Sequence, residues 1–375
     1  MKINSIELFQ IIVPLAKPYH LSKVLGTKTE AQAIIVKIHT DEGLVGLGEA
    51  NPTLLVSGET PAGVMSLFKE HLGPMLLGTD PLAISRLEIE MDRAVTGNHS
   101  AKAAVNMALY DIMGQAAGMP VYALLGGKLV SELPVMWPIG SGTSADDIQN
   151  IEEKLGEGYE TYMLKMGIFP IEHEIERVKT VRERFGPKVK LVVDANQGWD
   201  FFEAVEFITR LKGTRLELME QPLLRGDLEG LKRLRALSPW PISADEGLVS
   251  IHDARNLIER RSVDIFSLKV SKNGGLSKTK KIAVLAETSG LTCLMNCELE
   301  FGVTQMASLH LGCTLPNLAD IGHAYMSPLR LADDVTDYAH LVDRGRISVP
   351  ESPGLGINLN QNKLERYTKD HHKIS

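Results

Sequence analysis

From Leu133 onward the chain repeats one pattern: a short, almost uninterrupted apolar run, a charged residue at its end, then an amphipathic stretch. The runs are LPVMWPIG, TYMLKMG, KLVVDAN, RLELMEQP, WPISADE, DIFSLKV, LTCLMN and LADIG, separated by segments such as EHEIERVKTVRERFG and FFEAVEFITRLKG. A run that is apolar at every position is a strand covered on both faces. Single helices between such strands make βα units and a parallel sheet. Eight units over roughly 200 residues predict a closed (β/α) barrel. An open doubly wound sheet would carry a Gly-rich phosphate turn after its first strand, and GLGEA and PGLGI are too short to serve.

The first part of the chain is different. KINSIELFQIIV, AQAIIVKIHT and GLVGLGEA read as strands, the second ending at the turn Asp41-Glu42-Gly43. PAGVMSLFKEHLGPMLLG and HSAKAAVNMALYDIMGQAAGM carry apolar residues at helical spacing, and the latter breaks at Gly118. Strands followed by helices predict a small α+β domain ending near Gly126-Gly127, so the domain reading is 1–128, then a barrel over 129–344.

Composition narrows the function. With 40 Lys+Arg against 47 Asp+Glu the formal net charge is −7, which argues against nucleic acid as a partner. Hydrophobic residues at 44% exclude a disordered chain. The start MKINSIELFQIIVPL lacks the pattern of a signal peptide, and no apolar stretch approaches the roughly 18 residues of a membrane span. The three cysteines, Cys293, Cys297 and Cys313, are too few for a disulfide framework and read as packing residues. The expectation is a soluble cytoplasmic protein.

The charges that end the runs carry the chemistry. Lys165, Asp194, Glu220, Asp245 and Lys269 recur every 24 to 29 residues, one βα unit apart, and Glu298 and Glu300 follow the seventh run. They therefore share one structural place, the C-terminal end of consecutive strands, where barrels carry their active sites. Three adjacent buried carboxylates repel one another, and a hard divalent cation with oxygen ligands resolves the conflict. The lysines flank them in strand order. Burial and a nearby dication lower a lysine's pKa and make it available as a base. The expected chemistry is removal of the proton α to a substrate carboxylate, with enediolate charge spread onto the metal. Strand-end salt bridges explain single Lys–Asp neighbours, but not five residues at the unit period.

LKMG at 164–167, VVDANQGWD at 192–200, MEQP at 219–222, ADEG at 244–247, LKVSKNGG at 268–275 and PGLGINL at 353–359 resemble the enolase superfamily, and within it the muconate lactonizing enzyme subgroup. The likeness runs from about residue 2 to residue 360. It implies a (β/α)7β TIM-like barrel capped by the N-terminal domain and by 345–375, with two cap loops, about 17–29 and 53–63, closing over the site. It implies Asp194, Glu220 and Asp245 as ligands of Mg²⁺ or Mn²⁺, and Lys165 and Lys269 as the acid/base pair. Asn196, Glu300, His20, Ser22 and His323 are its candidate substrate contacts. Glu246 and Lys272 support the ligands, and Glu298 is a bystander.

Two departures stand out. The family's usual Lys-x-Lys begins here with Met163, which removes a like charge beside Lys165. HAYMSP at 323–328 lacks the Asp-x-Asp with which dipeptide epimerases grip an amino group, and Ala324 stands where lactonizing enzymes have an acid. KPYHLS at 17–22 is similar to a loop of the lactonizing enzymes. The reading is cycloisomerisation of a muconate-like diacid. Alternatives are racemisation or epimerisation of an N-substituted amino acid, syn-dehydration of a β-hydroxy acid, or a non-catalytic metal-binding relative. Homo-oligomerisation is expected by resemblance, and the tail DHHKIS reads as a solvated end.

Overall fold

β1 (Ile3–His20) and β2 (Thr27–Thr40) are long antiparallel strands whose two faces both meet apolar partners. Ile6, Leu8, Ile34, Val36 and Ile38 face the helices of the N-terminal domain, while Phe9, Ile11, Val13, Ala33 and Ile35 face the core shared with the barrel. Successive strand residues point to opposite faces, so one pair of strands serves two cores. The computed structural model describes residues 1–375.

β3 (Val45–Ala50) completes this hairpin array, and the helix His99–Ala117 lies directly on it. Glycine makes that approach possible. A Cβ on Gly48 would sit 1.9 Å from the carbonyl oxygen of Ala104. The helix ends where the sequence indicates, with Gly118 in the left-handed conformation.

The barrel follows β4 (Glu132–Pro134). Its parallel strands are β5 (Met136–Ile139), β6 (Thr161–Lys165), β7 (Lys190–Asp194), β8 (Leu218–Glu220), β9 (Ile242–Ala244), β10 (Ile265–Leu268) and β11 (Thr292–Met295), hydrogen-bonded in that order. The eighth run closes the ring without a regular ladder. Leu318 bridges Cys293, the Ala324 N–H donates to the Met295 carbonyl at 2.9 Å, and His323 bridges Val135.

β12 (Val342–Asp343) and β13 (Arg346–Ser348) form a small sheet with β4. The chain then returns to the N-terminal domain, where β14 (Thr368–Ile374) pairs antiparallel with β1. DHHKIS, read as a solvated end, is mostly an edge strand whose side chains stay largely exposed. No helix is long and apolar enough to cross a membrane.

Candidate active site at the C-terminal mouth of the barrel

Lys165, Asp194 and Glu220 are the last residues of β6, β7 and β8, and Asp245 and Lys269 come one residue after β9 and β10. All five side chains are buried. Lys165 bonds Asp194 Oδ2, and Lys269 donates to Asp245 Oδ2 at 2.7 Å. Lys272 donates to Asp245 Oδ1 at 2.8 Å and to its carbonyl at 2.6 Å. Glu220 lies between the paired acids. Its Oε1 accepts from Asn296 Nδ2 at 2.6 Å, while Oε2 is buried without a partner.

The backbone is strained where it presents these groups. Asn196, Gln197, Gln221 and Leu299 all have positive φ, between 31° and 66°. Such conformations cost about 1–3 kcal/mol each and persist where surroundings impose them. Gln221 uses its position: its Oε1 accepts from the N–H groups of Asp245 and Gly247 at 2.9 and 3.1 Å. Glu174 orders the turn after β6, accepting from the N–H groups of Gly167, Ile168 and Phe169 and from Trp199 Nε1.

Electrostatics follow from this packing. Burial pulls Lys165 toward neutrality, but Asp194, Tyr19 and Glu220 outweigh it and hold the ammonium above the usual lysine range. Lys269 is likewise held high against burial by Asp245, Glu298 and Glu246. In these ion pairs burial alone does not make the lysines less basic; the expected lowering would require a dication to take over their carboxylate partners. Burial would also raise Asp245, but Lys269 and Lys272 hold it below the usual carboxylate range. Burial drives Glu220 well above its ordinary value, reinforced by Asp194 and Asp245. Glu246, buried and facing the same acids, is pushed up to about 8.

Residues 5–126 match the family described as mandelate racemase / muconate lactonizing enzyme, N-terminal domain, and residues 146–363 match the enolase C-terminal domain-like family. The chain belongs to the enolase superfamily. It is 36% identical over 359 residues to L-Ala-D/L-Glu epimerase of Bacillus subtilis, covering 95% of this chain and 97% of that protein. It is 33% identical over 374 residues to chloromuconate cycloisomerase of Pseudomonas putida, covering 98% and 100%. The crystal structure of N-succinyl Arg/Lys racemase from Bacillus cereus superposes over 100% of both chains with a TM-score of 0.95 at 30% identity.

The cap covers the mouth. The cavity between them is lined by Lys165, Lys269, Asn196, Asp245 and Glu246 on one side and by Tyr19, Met163, Cys297, Ala324 and Met326 elsewhere. Asn196 donates to Glu246 Oε1 at 3.0 Å, so both stand beside the lysines, with Lys272 beneath Asp245.

Several expected substrate contacts lie elsewhere. Glu298, read as a bystander, lines the cavity, accepts from Thr53 Oγ1 at 2.6 Å, and comes within 3.8 Å of Lys269. Glu300 is buried away from the cavity, accepting from Gln305 Nε2 at 2.7 Å. Leu299 with φ 66° sits between the two acids and breaks strand alternation there. His323 points away as well. Alternation along the eighth run turns Ala324 and Met326 inward, and His323 Nδ1 accepts from the Met295 N–H at 3.3 Å. Ser22 is buried and donates to the Asn196 carbonyl at 2.9 Å. His20 is exposed, bonded to Thr27 Oγ1, beside a separate surface groove. The first cap loop is shorter than expected, because Tyr19 and His20 pair with Lys28 and Thr27 across the hairpin.

Asn296 escaped the sequence reading although it lies one βα step beyond Lys269. Attention to acids passed over an amide at the same register.

Proposed function

We propose that this chain transfers the proton at the carbon next to a substrate carboxylate, with Lys165 and Lys269 as the acid/base pair. One observation carries this reading. β6 and β10 are four strands apart in the closed ring, so their lysines face each other across the mouth and line the same cavity. Opposed lysines can reach opposite faces of one carbon, which suits racemisation or epimerisation. Burial favours the neutral amine, so a lysine that loses its carboxylate partner becomes a base, while the other, still protonated, returns a proton. Glu298 and Asn196 border the same space and would orient the substrate.

The donor set fits a hard divalent cation such as Mg²⁺ or Mn²⁺. Asp194, Glu220, Asp245, Glu246 and Glu298 are paired within the mouth only through Lys165, Lys269 and Lys272, and Glu220, Glu246 and Glu298 each keep one buried oxygen unpartnered. As the side chains stand, no three acidic, histidine or cysteine groups converge into a metal shell, because the lysines engage the outer two carboxylates. Asp194, Glu220 and Asp245 would hold the ion, which when bound supplies positive charge against a substrate carboxylate.

Cycloisomerisation of a muconate-like diacid is the second reading. Lys28 lines the cavity without a hydrogen bond or ion pair, and a second carboxylate would suit it. Deuterium incorporation from D₂O into candidate acids separates the two. Under the first reading Lys165→Ala and Lys269→Ala each remove exchange for one enantiomer and abolish interconversion. Dependence on Lys165 alone selects cycloisomerisation. Undiminished exchange in both variants would remove the assignment.

A further inference from the structure

The barrel's helices differ in where their first N–H groups find acceptors. Ser144–Gly156, Phe201–Arg210, Leu228–Leu237 and Ile251–Arg260 are capped from within: Thr143, Asp200, Asp227 and Ser250 each accept from the N–H three residues on. Glu174 of the helix Ile171–Phe185 turns back onto the N–H groups of the turn that precedes it. The last two helices, Leu276–Thr288 and Gly302–Gly312, have no capping side chain of their own. Gly275 stands before one and Phe301 before the other, and neither residue has a side-chain acceptor.

The N-terminal domain supplies what they lack. Asn106, fully buried on the helix His99–Ala117, accepts from the Leu276 N–H through Oδ1 at 2.7 Å and donates from Nδ2 to Glu88 Oε1 at 2.7 Å. It occupies the space of a side chain at position 275: a Cβ on Gly275, whose φ is 108°, would lie 2.6 Å from that Oδ1. Glu49, fully buried on β3, accepts from the N–H groups of Phe301 at 2.7 Å and Thr304 at 2.9 Å, the latter being the donor that a helix's own cap would take. β3 and the helix His99–Ala117 touch at Gly48 and Ala104, so the two capping residues belong to one rigid bracket.

Both capped helices follow loops of the mouth. The Lys269 N–H donates to Asn273 Oδ1 at 2.9 Å and the Gly275 N–H to the Val270 carbonyl at 2.9 Å, so the turn that carries Lys269 and Lys272 runs directly into the capped end. Asn51, two residues after Glu49, donates its N–H to Ser271 Oγ in the same turn at 3.3 Å. The other loop carries Asn296 and Glu298 and ends at Phe301. The loops after β6 and β7 receive cap hydrogen bonds at the carbonyls of Gly167 and Asn196, while their helices are completed inside the barrel. We infer that Asn106 and Glu49 are positioning residues: the seated cap fixes the turn bearing Lys269 and the loop bearing Asn296 and Glu298, whereas the barrel alone orders the strand ends of Lys165 and Asp194. The inference rests on the proton-transfer reading only for the role given to Lys269.

Amide hydrogen exchange of the full chain, with neither metal nor substrate added, tests this, because exchange reads local opening. Asn106→Leu removes both capping atoms at similar volume, and Glu49→Met removes the acceptors at the second helix. Asn106→Leu is expected to speed exchange at least about fivefold over residues 269–280, and Glu49→Met to do the same over 296–306, with 194–210 unchanged in both. The swapped pair Asn106→Asp with Glu88→Gln keeps an acceptor for the Leu276 N–H and a hydrogen bond to residue 88, and should restore the parent's rates over 269–280. Several results would overturn the inference. Parent rates in both single variants would mean that the contacts do not cap. Acceleration confined to the first helical turns, with the mouth loops unchanged, would mean that they cap without positioning. Equal acceleration over 194–210, loss of the fold, or no recovery in the swapped pair would make both residues ordinary members of the core. A chain that never exchanges a substrate's α-proton would sink the proton-transfer reading and leave these rates untouched.

Discussion

Glu220 concentrates the conflict at the centre of the site. It is fully buried, one oxygen is bonded to Asn296 and the other is unpartnered, and Asp194 and Asp245 repel its charge. Its proton is held more tightly in the folded state than in the unfolded one, whose value is 4.5. The charge therefore destabilises the fold increasingly as pH rises above 4.5. Glu220→Gln keeps an acceptor for Asn296 and removes that charge. Without divalent metal the variant should melt no lower than the parent at pH 7, and its advantage should vanish as pH falls toward 4.5. If magnesium binds as proposed, it should raise the melting temperature of the parent but not of the variant; at a hundredfold excess over Kd that rise corresponds to about 2.7 kcal/mol. A variant that unfolds, or one still stabilised by magnesium, would contradict the ligand assignment. His310 shows the opposite sign. Its Nδ1 accepts from the Tyr122 N–H at 3.3 Å and its Nε2 faces the Leu355 carbonyl at 3.0 Å, so it is buried neutral with the proton on Nε2. Burial lowers its pKa from 6.5 to about 4. Its contribution is complete above pH 6.5 and is lost as pH falls through about 4. The stability gap between the parent and His310→Gln should therefore shrink by about 2–3 kcal/mol between pH 7 and pH 4. Urea unfolding of both proteins across that range reads the gap, and the difference cancels groups such as Glu49, which titrate in both.

Single elements explain what the sequence reveals and what it hides. A strand buried on both faces announces itself as an apolar run, and its first charged residue marks the mouth, so Lys165, Asp194, Glu220, Asp245 and Lys269 are legible from spacing alone. That logic fails where the backbone leaves regular geometry. After β11 the positive φ of Leu299 decides which of Glu298 and Glu300 reaches the cavity, and no period encodes it. In the eighth run alternation does operate, but the run's ladder is irregular, so its phase is hidden until Ala324 and Met326 are seen facing inward. Helix-on-strand contact is a third case, written in a single glycine. Gly48→Ala places a methyl against the Ala104 carbonyl, a clash neither backbone can relieve by a rotamer change. The helix His99–Ala117 must lift from β3, and such overpacking typically costs about 1–3 kcal/mol or more. A lowered urea midpoint should register this, and an unchanged midpoint would mean that the helix adjusts freely.

At the scale of the whole molecule, two domains share one chemistry because the chain returns to where it began. The cap supplies Tyr19, Leu21, Leu25, Thr53, Leu55 and Val56 to a cavity whose ionisable core is built by the barrel. Thr53 reaches Glu298, and Arg225 Nη1 donates to the Val56 carbonyl at 2.9 Å, so the second cap loop is fastened to the barrel at both ends of its apolar segment. β14 fastens the cap itself. It pairs along β1 from Ile6 to Ile11, and Ile374 packs beside the helices of the N-terminal domain, under Gly73. Pairing between the first and last strands spans almost the entire sequence, which is why no local signal in DHHKIS disclosed it. Deleting residues 368–375 exposes the edge of β1 while leaving the barrel's hydrogen bonds in place. The expected result is faster amide hydrogen exchange in β1 and β2 with protection retained in β6 to β10, because local stability follows local contacts. Substrate affinity should fall with it, since Tyr19, Leu21, Leu25, Leu55 and Val56 of the cap line the cavity, while the stabilisation expected from metal, whose proposed ligands all belong to the barrel, should persist. Loss of protection throughout the barrel would mean instead that cap and barrel unfold as one unit, with β14 holding both.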